Sequence, residues 1–191
     1  MPHIHTEPNQ HDMTVSAYVL RKDGGEWKCL VHMHRKIDML MQIGGHIELN
    51  QTPWQAIAEE LLDEAGYDLS ELKILQPDWR MRNMTETVLH PVPFCMNTHS
   101  VGNDHYHSDC IYAFTAEHLP DNLPKHTESH DLRWYSLEQL QLQADAGVAL
   151  QDCTDVYKSL IGALPSLHPE NTNVFSLNKP EKGITYKRNE V

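Results

Sequence analysis

The chain has 191 residues, 40% of them hydrophobic, and a formal net charge of -12 with a sequence pI near 5.5. That length fits one domain with a substantial core. The acidic balance argues against a nucleic-acid polymer as partner, because phosphate backbones are met by basic surfaces, while a small phosphorylated ligand remains open to it through a bridging cation. No apolar run approaches the roughly 20 residues of a membrane span, and Met1-Pro2-His3-Ile4-His5 lacks a signal-peptide core, so the expected setting is cytoplasmic, away from any membrane.

In chain order, residues 1–11 read as an N-terminal segment, 12–164 as the folded domain and 165–191 as a C-terminal tail. Residues 14–20 read as a strand, Asp23-Gly24-Gly25 as a turn, and Trp27 to Met33 as the second arm of a hairpin. Met39 to Ile43 then leads into Gly44-Gly45. A helix is well marked after them: Thr52 is its N-cap, Pro53 its first residue, Gln55 completes a Thr-x-x-Gln capping box, and Gly66 closes it. Leu72 to Leu75, Val92 to Thr98, Tyr106 to Thr115 and Leu132 to Tyr135 read as further strands, with a loop at Val101-Gly102-Asn103-Asp104 and another from Pro120 to His130. Residues 76–91 have no clear pattern. Ser136 caps a second helix, and a last one is expected over roughly Thr154 to Leu164. The tail, rich in Asn, Pro, Lys and Glu, reads as loosely ordered or as an arm on a partner subunit, as in a homodimer. These elements fit an α/β fold with a central mixed sheet between helices.

The capped helix carries the chemistry. At 100° per residue, Trp54, Ile57, Ala58, Leu61, Leu62 and Ala65 share one broad face, while Glu60, Asp63 and Glu64 lie at i, i+3 and i+4 opposite it. Three like charges within one turn repel by a few tenths of a kcal/mol per pair. They also crowd the last turn, where the helix dipole disfavours anions. A bound hard cation such as Mg²⁺, which takes oxygen ligands and borrows substrate phosphates, reverses both penalties.

The segment Gly45 to Tyr67 resembles the Nudix box: Gly, five residues, Glu, seven residues, Arg-Glu, an aliphatic, any residue, Glu-Glu, any residue, Gly, then a hydrophobe. Gly45, Glu60, Leu61, Glu64, Gly66 and Tyr67 match, and Asp63 keeps a carboxylate. Gln51 stands where the pattern has Glu, and Glu59 where it has Arg. The resemblance implies a Nudix-type α/β/α sandwich and metal ligation by Glu60, Asp63 and Glu64, with the carbonyl of Gly44 as a further donor. Glu128, in the loop before a Trp-x-Ser-Leu-like stretch at Trp134, resembles a further Nudix carboxylate, a fourth ligand or a general base beside Glu64 and Glu60. The implied activity is that of a pyrophosphohydrolase acting on phosphorus-containing anhydrides. It would use Mg²⁺ or Mn²⁺ to cleave the pyrophosphate of a nucleoside diphosphate linked to another group. The arginine that Glu59 replaces resembles an orienting partner of a ligand carboxylate, and such partners commonly matter tenfold or more. Gln51 and Glu59 therefore sustain an alternative, a catalytically weakened Nudix-fold module that binds or senses a nucleotide. An isomerase of isoprenoid diphosphates shares the fold, but the cysteine-bearing segment such enzymes need has no counterpart here.

Cys29, Cys95, Cys110 and Cys153 form no CxxC and read as free thiols. The 14 histidines include His3, His5 and His11, the alternating pairs His32/His34 and His105/His107, and His126 and His130 flanking Glu128. An x-His-x-His alternation in a strand puts both rings on one face and permits metal binding, but no Cys/His set with structural-zinc spacing accompanies them; most read as surface or sheet-packing residues, with His107 and Asp109 able to reach a substrate. Trp79, Arg80 and Arg82 form the best local cluster for stacking a base and meeting a phosphate.

Overall fold

The structure is a computed structural model that describes residues 4, 5, 7–84, 87–102 and 104–179. Its centre is β1 (His11–Asp23), whose residues 14–20 are all buried because both faces of the strand are covered. Val15, Ala17 and Val19 enter one core, and Tyr18 and Leu20 enter the other. Along one edge β1 runs parallel to β7 (His105–Ala116), with Asp12 opposite His107 and Arg21 opposite Ala116. Its other edge is divided. Residues 14–17 pair antiparallel with β4 (Ile43–His46), and 20–23 pair antiparallel with β2 (Glu26–His34). The outer edge of β7 is divided in the same way, between β6 (Cys95–Gly102) and β5 (Leu72–Pro77). β3 (Met39–Met41) and β8 (Leu132–Ser136) extend the sheet beyond β2.

One helix, α1 (Pro53–Ala65), covers one face, and two, α2 (Leu137–Asp145) and α3 (Gln151–Ala163), cover the other. This is the expected α/β/α sandwich with a mixed sheet. The capping signals in the sequence are satisfied as read. Thr52 and Gln55 exchange both bonds of the box, Ser136 and Gln139 do the same at α2, and Gly66 closes α1 with a left-handed φ of 74°. Trp54 anchors α1 to the sheet, its ring centroid 5.8 Å from Tyr112 and 6.2 Å from Phe114. On the opposite face the fully buried Tyr157 of α3 sends its hydroxyl into the β1–β2 ladder, where it donates to Leu30 O and accepts from Val19 N–H.

Several elements differ from the sequence reading. α3 starts at Gln151 rather than Thr154, and its N-cap Leu150 offers no capping side chain to mark it. β6 starts at Cys95 rather than Val92, because the backbone of Val92 is taken up by the side-chain amide of Gln76. The largest difference lies beyond Pro165. Instead of being loosely ordered, Leu167–Asn171 forms β9, antiparallel to β5 at the sheet edge. Phe175 is 6% exposed, against Trp54 at 5.8 Å, and its carbonyl accepts the Trp54 indole N–H. Gln55 Nε2 donates to Leu177 O at 2.8 Å, so through residue 179 this stretch packs on its own chain. Residues 180–191, His3 and Asn103 lie outside the described residues.

Candidate active site

Gly44 and Gly45 are the middle residues of β4, where the strand passes between β1 and α1. A side chain at Gly44 would overlap the carbonyl of Val15, and one at Gly45 would overlap the Glu60 carboxylate. The double glycine therefore lets the backbone lie directly on the acidic face of α1. Gly44 N–H donates to Glu64 Oε2 at 3.0 Å, and His32 Nε2 of β2 stands 3.9 Å from the same oxygen.

Glu64 is only 6% exposed. Burial and the neighbouring Glu60 push its pKa up to about 9, with the Gly44 N–H acting in the opposite direction. Glu60 is pushed up to about 7, first by burial and then by Asp63, Glu59 and Glu128. Burial disfavours the charged form of His32, with His34 acting in the same direction, and takes its pKa down to about 4, so the imidazole beside Glu64 is uncharged at neutral pH. A buried and a half-buried carboxylate, an uncharged imidazole and a third acidic residue on the same turn make an oxygen-rich donor set. A divalent cation fits it.

Glu60, Asp63, Glu64 and Glu128 line one cavity of about 780 Å³ together with Gly44 and Gly45. The structure thus brings the sequence-selected residues together, including Glu128, which lies 64 positions beyond Glu64 in the chain. Asp63 is already engaged: Lys125 Nζ donates to its carboxylate at 2.6 Å, and the Lys125 N–H donates to its backbone carbonyl at 2.7 Å. The two departures from the box pattern also meet. Gln51 Nε2 donates to Glu59 Oε2 at 2.5 Å, so a loop-to-helix bond is made with the charge pattern inverted.

Arg35 and Lys36 line the same cavity at the turn after β2, and Arg35 Nη1 donates to Thr127 O at 2.5 Å, beside Glu128. Nothing periodic in the sequence marks these two cations. They are found only through the fold. His107 and Asp109 of β7 also line the cavity, and Asp109 accepts from Thr14 Oγ1 at 2.9 Å. His126 and His130 are exposed and do not line it. The Trp79, Arg80 and Arg82 cluster is a correction. Arg80 pairs with Glu170 of β9 and lies 5.1 Å over the Phe175 ring, Arg82 also reaches Glu170, and Trp79 is 77% exposed. These arginines fasten the C-terminal stretch and do not line the cavity.

The glycine turn, the capped acidic helix and the sheet they sit on define a class. Residues 10–153 match the model of the NUDIX domain, and the chain belongs to the Nudix family. A Nudix-family hydrolase from Clostridium perfringens superposes with a TM-score of 0.64 at 27% identity, covering 80% of this chain and 97% of that one. The C. elegans Ap4A hydrolase, in a binary complex, gives 0.57 at 17% identity over 80% and 98%. A NUDIX hydrolase from Nitrosomonas europaea gives 0.55 at 14% identity over 89% and 97%. No curated protein matches the chain. Among the described residues no helix is long and apolar enough to cross a membrane.

Proposed function

We propose that this Nudix hydrolase cleaves the pyrophosphate bond of a nucleoside diphosphate linked to another group, with Mg²⁺ or Mn²⁺ held by Glu60 and Glu64. Asp63 and the carbonyl of Gly44 support them. The observation that carries this reading is the pair of carboxylates, buried Glu64 and half-buried Glu60, with pKa values pushed up to about 9 and about 7 inside a cavity that Glu128, Arg35 and Lys36 share. When bound, the cation would neutralise the oxygens of the scissile pyrophosphate. Glu64 is fixed by the Gly44 N–H and packed beside His32, which suits a ligand with one orientation. Glu128 is half-buried, with Thr127 Oγ1 donating to it at 3.2 Å, and suits the role of base that takes a proton from the attacking water. Arg35 and Lys36 would meet the outer phosphate oxygens and compensate for the missing box arginine.

The test is a screen that follows the cleavage products of nucleotide sugars, dinucleoside polyphosphates, ADP-ribose and damaged nucleoside triphosphates by chromatography, with Mg²⁺, Mn²⁺ or chelator. At least one class should turn over only with the ion. Turnover of none, or turnover indifferent to chelator, overturns the proposal.

The second reading is a nucleotide-binding or sensor module. It is favoured by the inverted Gln51–Glu59 pair and by Lys125 on Asp63. If it holds, the double change Gln51→Glu and Glu59→Arg should raise hydrolysis by orders of magnitude from a near-zero base.

A further inference from the structure

The sheet face that carries Tyr18 and Leu20 of β1 under α3 becomes polar toward the start of the strand. There Asp12, Thr14 and Ser16 replace the apolar residues. Because β1 and β7 are parallel and in register, His107 sits opposite Asp12, and His105 follows two residues earlier on the same face. β4 brings His46 to the same place by pairing with Thr14. An acidic residue and three imidazoles from three strands thus converge. Asp12 is fully buried, His105 and His46 are 6% and 8% exposed, and His107 is half-buried.

Separations within this group are compatible with donors arranged around one cation. Asp12 Oδ2 lies 3.3 Å from His105 Nε2 and 3.4 Å from His46 Nε2. The same oxygen accepts from the Ile4 N–H at 2.9 Å, and the His105 contact is also within hydrogen-bond reach. Donors about 2.05 Å from a tetrahedral zinc ion lie about 3.3 Å apart, the edge of that tetrahedron. One ligand atom each from Asp12, His105 and His107 fall within 4.8 Å of one another. His46 packs edge to face against His107 beside these three, with ring centroids 4.8 Å apart. The other carboxylate oxygen is also held: Asp12 Oδ1 accepts from the His5 N–H and contacts the His5 ring, both at 2.8 Å. A ligating carboxylate is commonly steadied in this way.

We propose that Asp12, His105 and His107, with His46 packed beside them, form a second metal site, for a borderline-soft divalent ion of the Zn²⁺ class. It is separate from the oxygen ligands of α1. Two imidazoles and one carboxylate, with a third imidazole beside them, select such an ion over Mg²⁺, which prefers oxygen. His46 and His107 line the cavity that holds Glu60 and Glu64, so the ion would sit in its wall, one residue from Gly45. The proposal does not depend on turnover at the acidic helix.

The test uses untagged full-length protein stripped with chelator, then dialysed against Zn²⁺ or Co²⁺ in excess Mg²⁺. One equivalent of Zn²⁺ should be retained per chain, and Co²⁺ should give paramagnetically shifted imidazole N–H resonances. Glu64→Gln should retain that equivalent, whereas His107→Ala and Asp12→Asn should each weaken Zn²⁺ binding by about tenfold or more. Circular dichroism checks that the variants fold, and the wild-type Co²⁺ spectrum decides the matter without them. No Zn²⁺ retained in Mg²⁺, no shifted imidazole signals, equal retention by His107→Ala, or loss only in Glu64→Gln would each overturn the proposal.

Discussion

Gln51 and Glu59 are two departures from the Nudix pattern that become one feature in space. The pattern has Glu and Arg at these positions; here a neutral donor faces a carboxylate at 2.5 Å. Changing Gln51→Glu alone would set two carboxylates against each other and cost about 0.5 kcal/mol, while adding Glu59→Arg should recover that loss. Chemical denaturation of the two single variants and the double variant measures this coupling, and additive effects would show that the pair is not energetically linked. Glu60 and Glu64 give a second residue-scale expectation. Their pKa values, about 7 and about 9, are raised over the ordinary 4.5, so the folded chain holds protons that the unfolded chain has released. Their contribution to stability is therefore complete below about pH 4.5 and is lost as pH rises through about 7 to about 9. Thermal melts of metal-free protein should show Tm falling over that window, and Mg²⁺ should restore most of the loss at the alkaline end. A flat profile, or one unchanged by Mg²⁺, would remove the case for a cation between these groups.

The elements that could be read in advance had local chemistry to announce them. Thr52, Pro53, Gln55 and Gly66 bracket α1, and Ser136 with Gln139 starts α2. α3 begins at Gln151 behind Leu150, which caps nothing, so no local signal marks its true start. β9 was not legible at all. Its sequence Leu-His-Pro-Glu-Asn lacks alternation, and it holds because β5 offers an open edge and Arg80 meets Glu170. Phe175 completes the attachment by packing on Trp54, the residue that seats α1. Phe175→Ala should therefore cost about 3 kcal/mol and loosen the stretch after β9. Denaturant melts and hydrogen exchange at residues 167–177 would register it, and a loss under about 1 kcal/mol would mean the contact is incidental.

For the whole molecule, the sandwich sets a distant carboxylate and two unannounced cations around a helix that was readable on its own. The acidic face of α1 could be read in the sequence because its spacing is local. Arg35, Lys36 and the Asp12 histidine cluster could not, since β2, β4 and β7 bring them together across many tens of residues. The central claim is that Glu64 serves a metal-dependent cleavage and not the fold. The direct measurement is the initial rate of phosphoanhydride cleavage, with the substrate the screen identifies, for wild type and Glu64→Gln with and without Mg²⁺. The account predicts Mg²⁺-dependent turnover in the wild type and a loss of at least about a thousandfold in the variant. At alkaline pH the variant should melt no lower, because it replaces a buried charge with its neutral isostere. A Glu64→Gln rate equal to wild type would contradict the account.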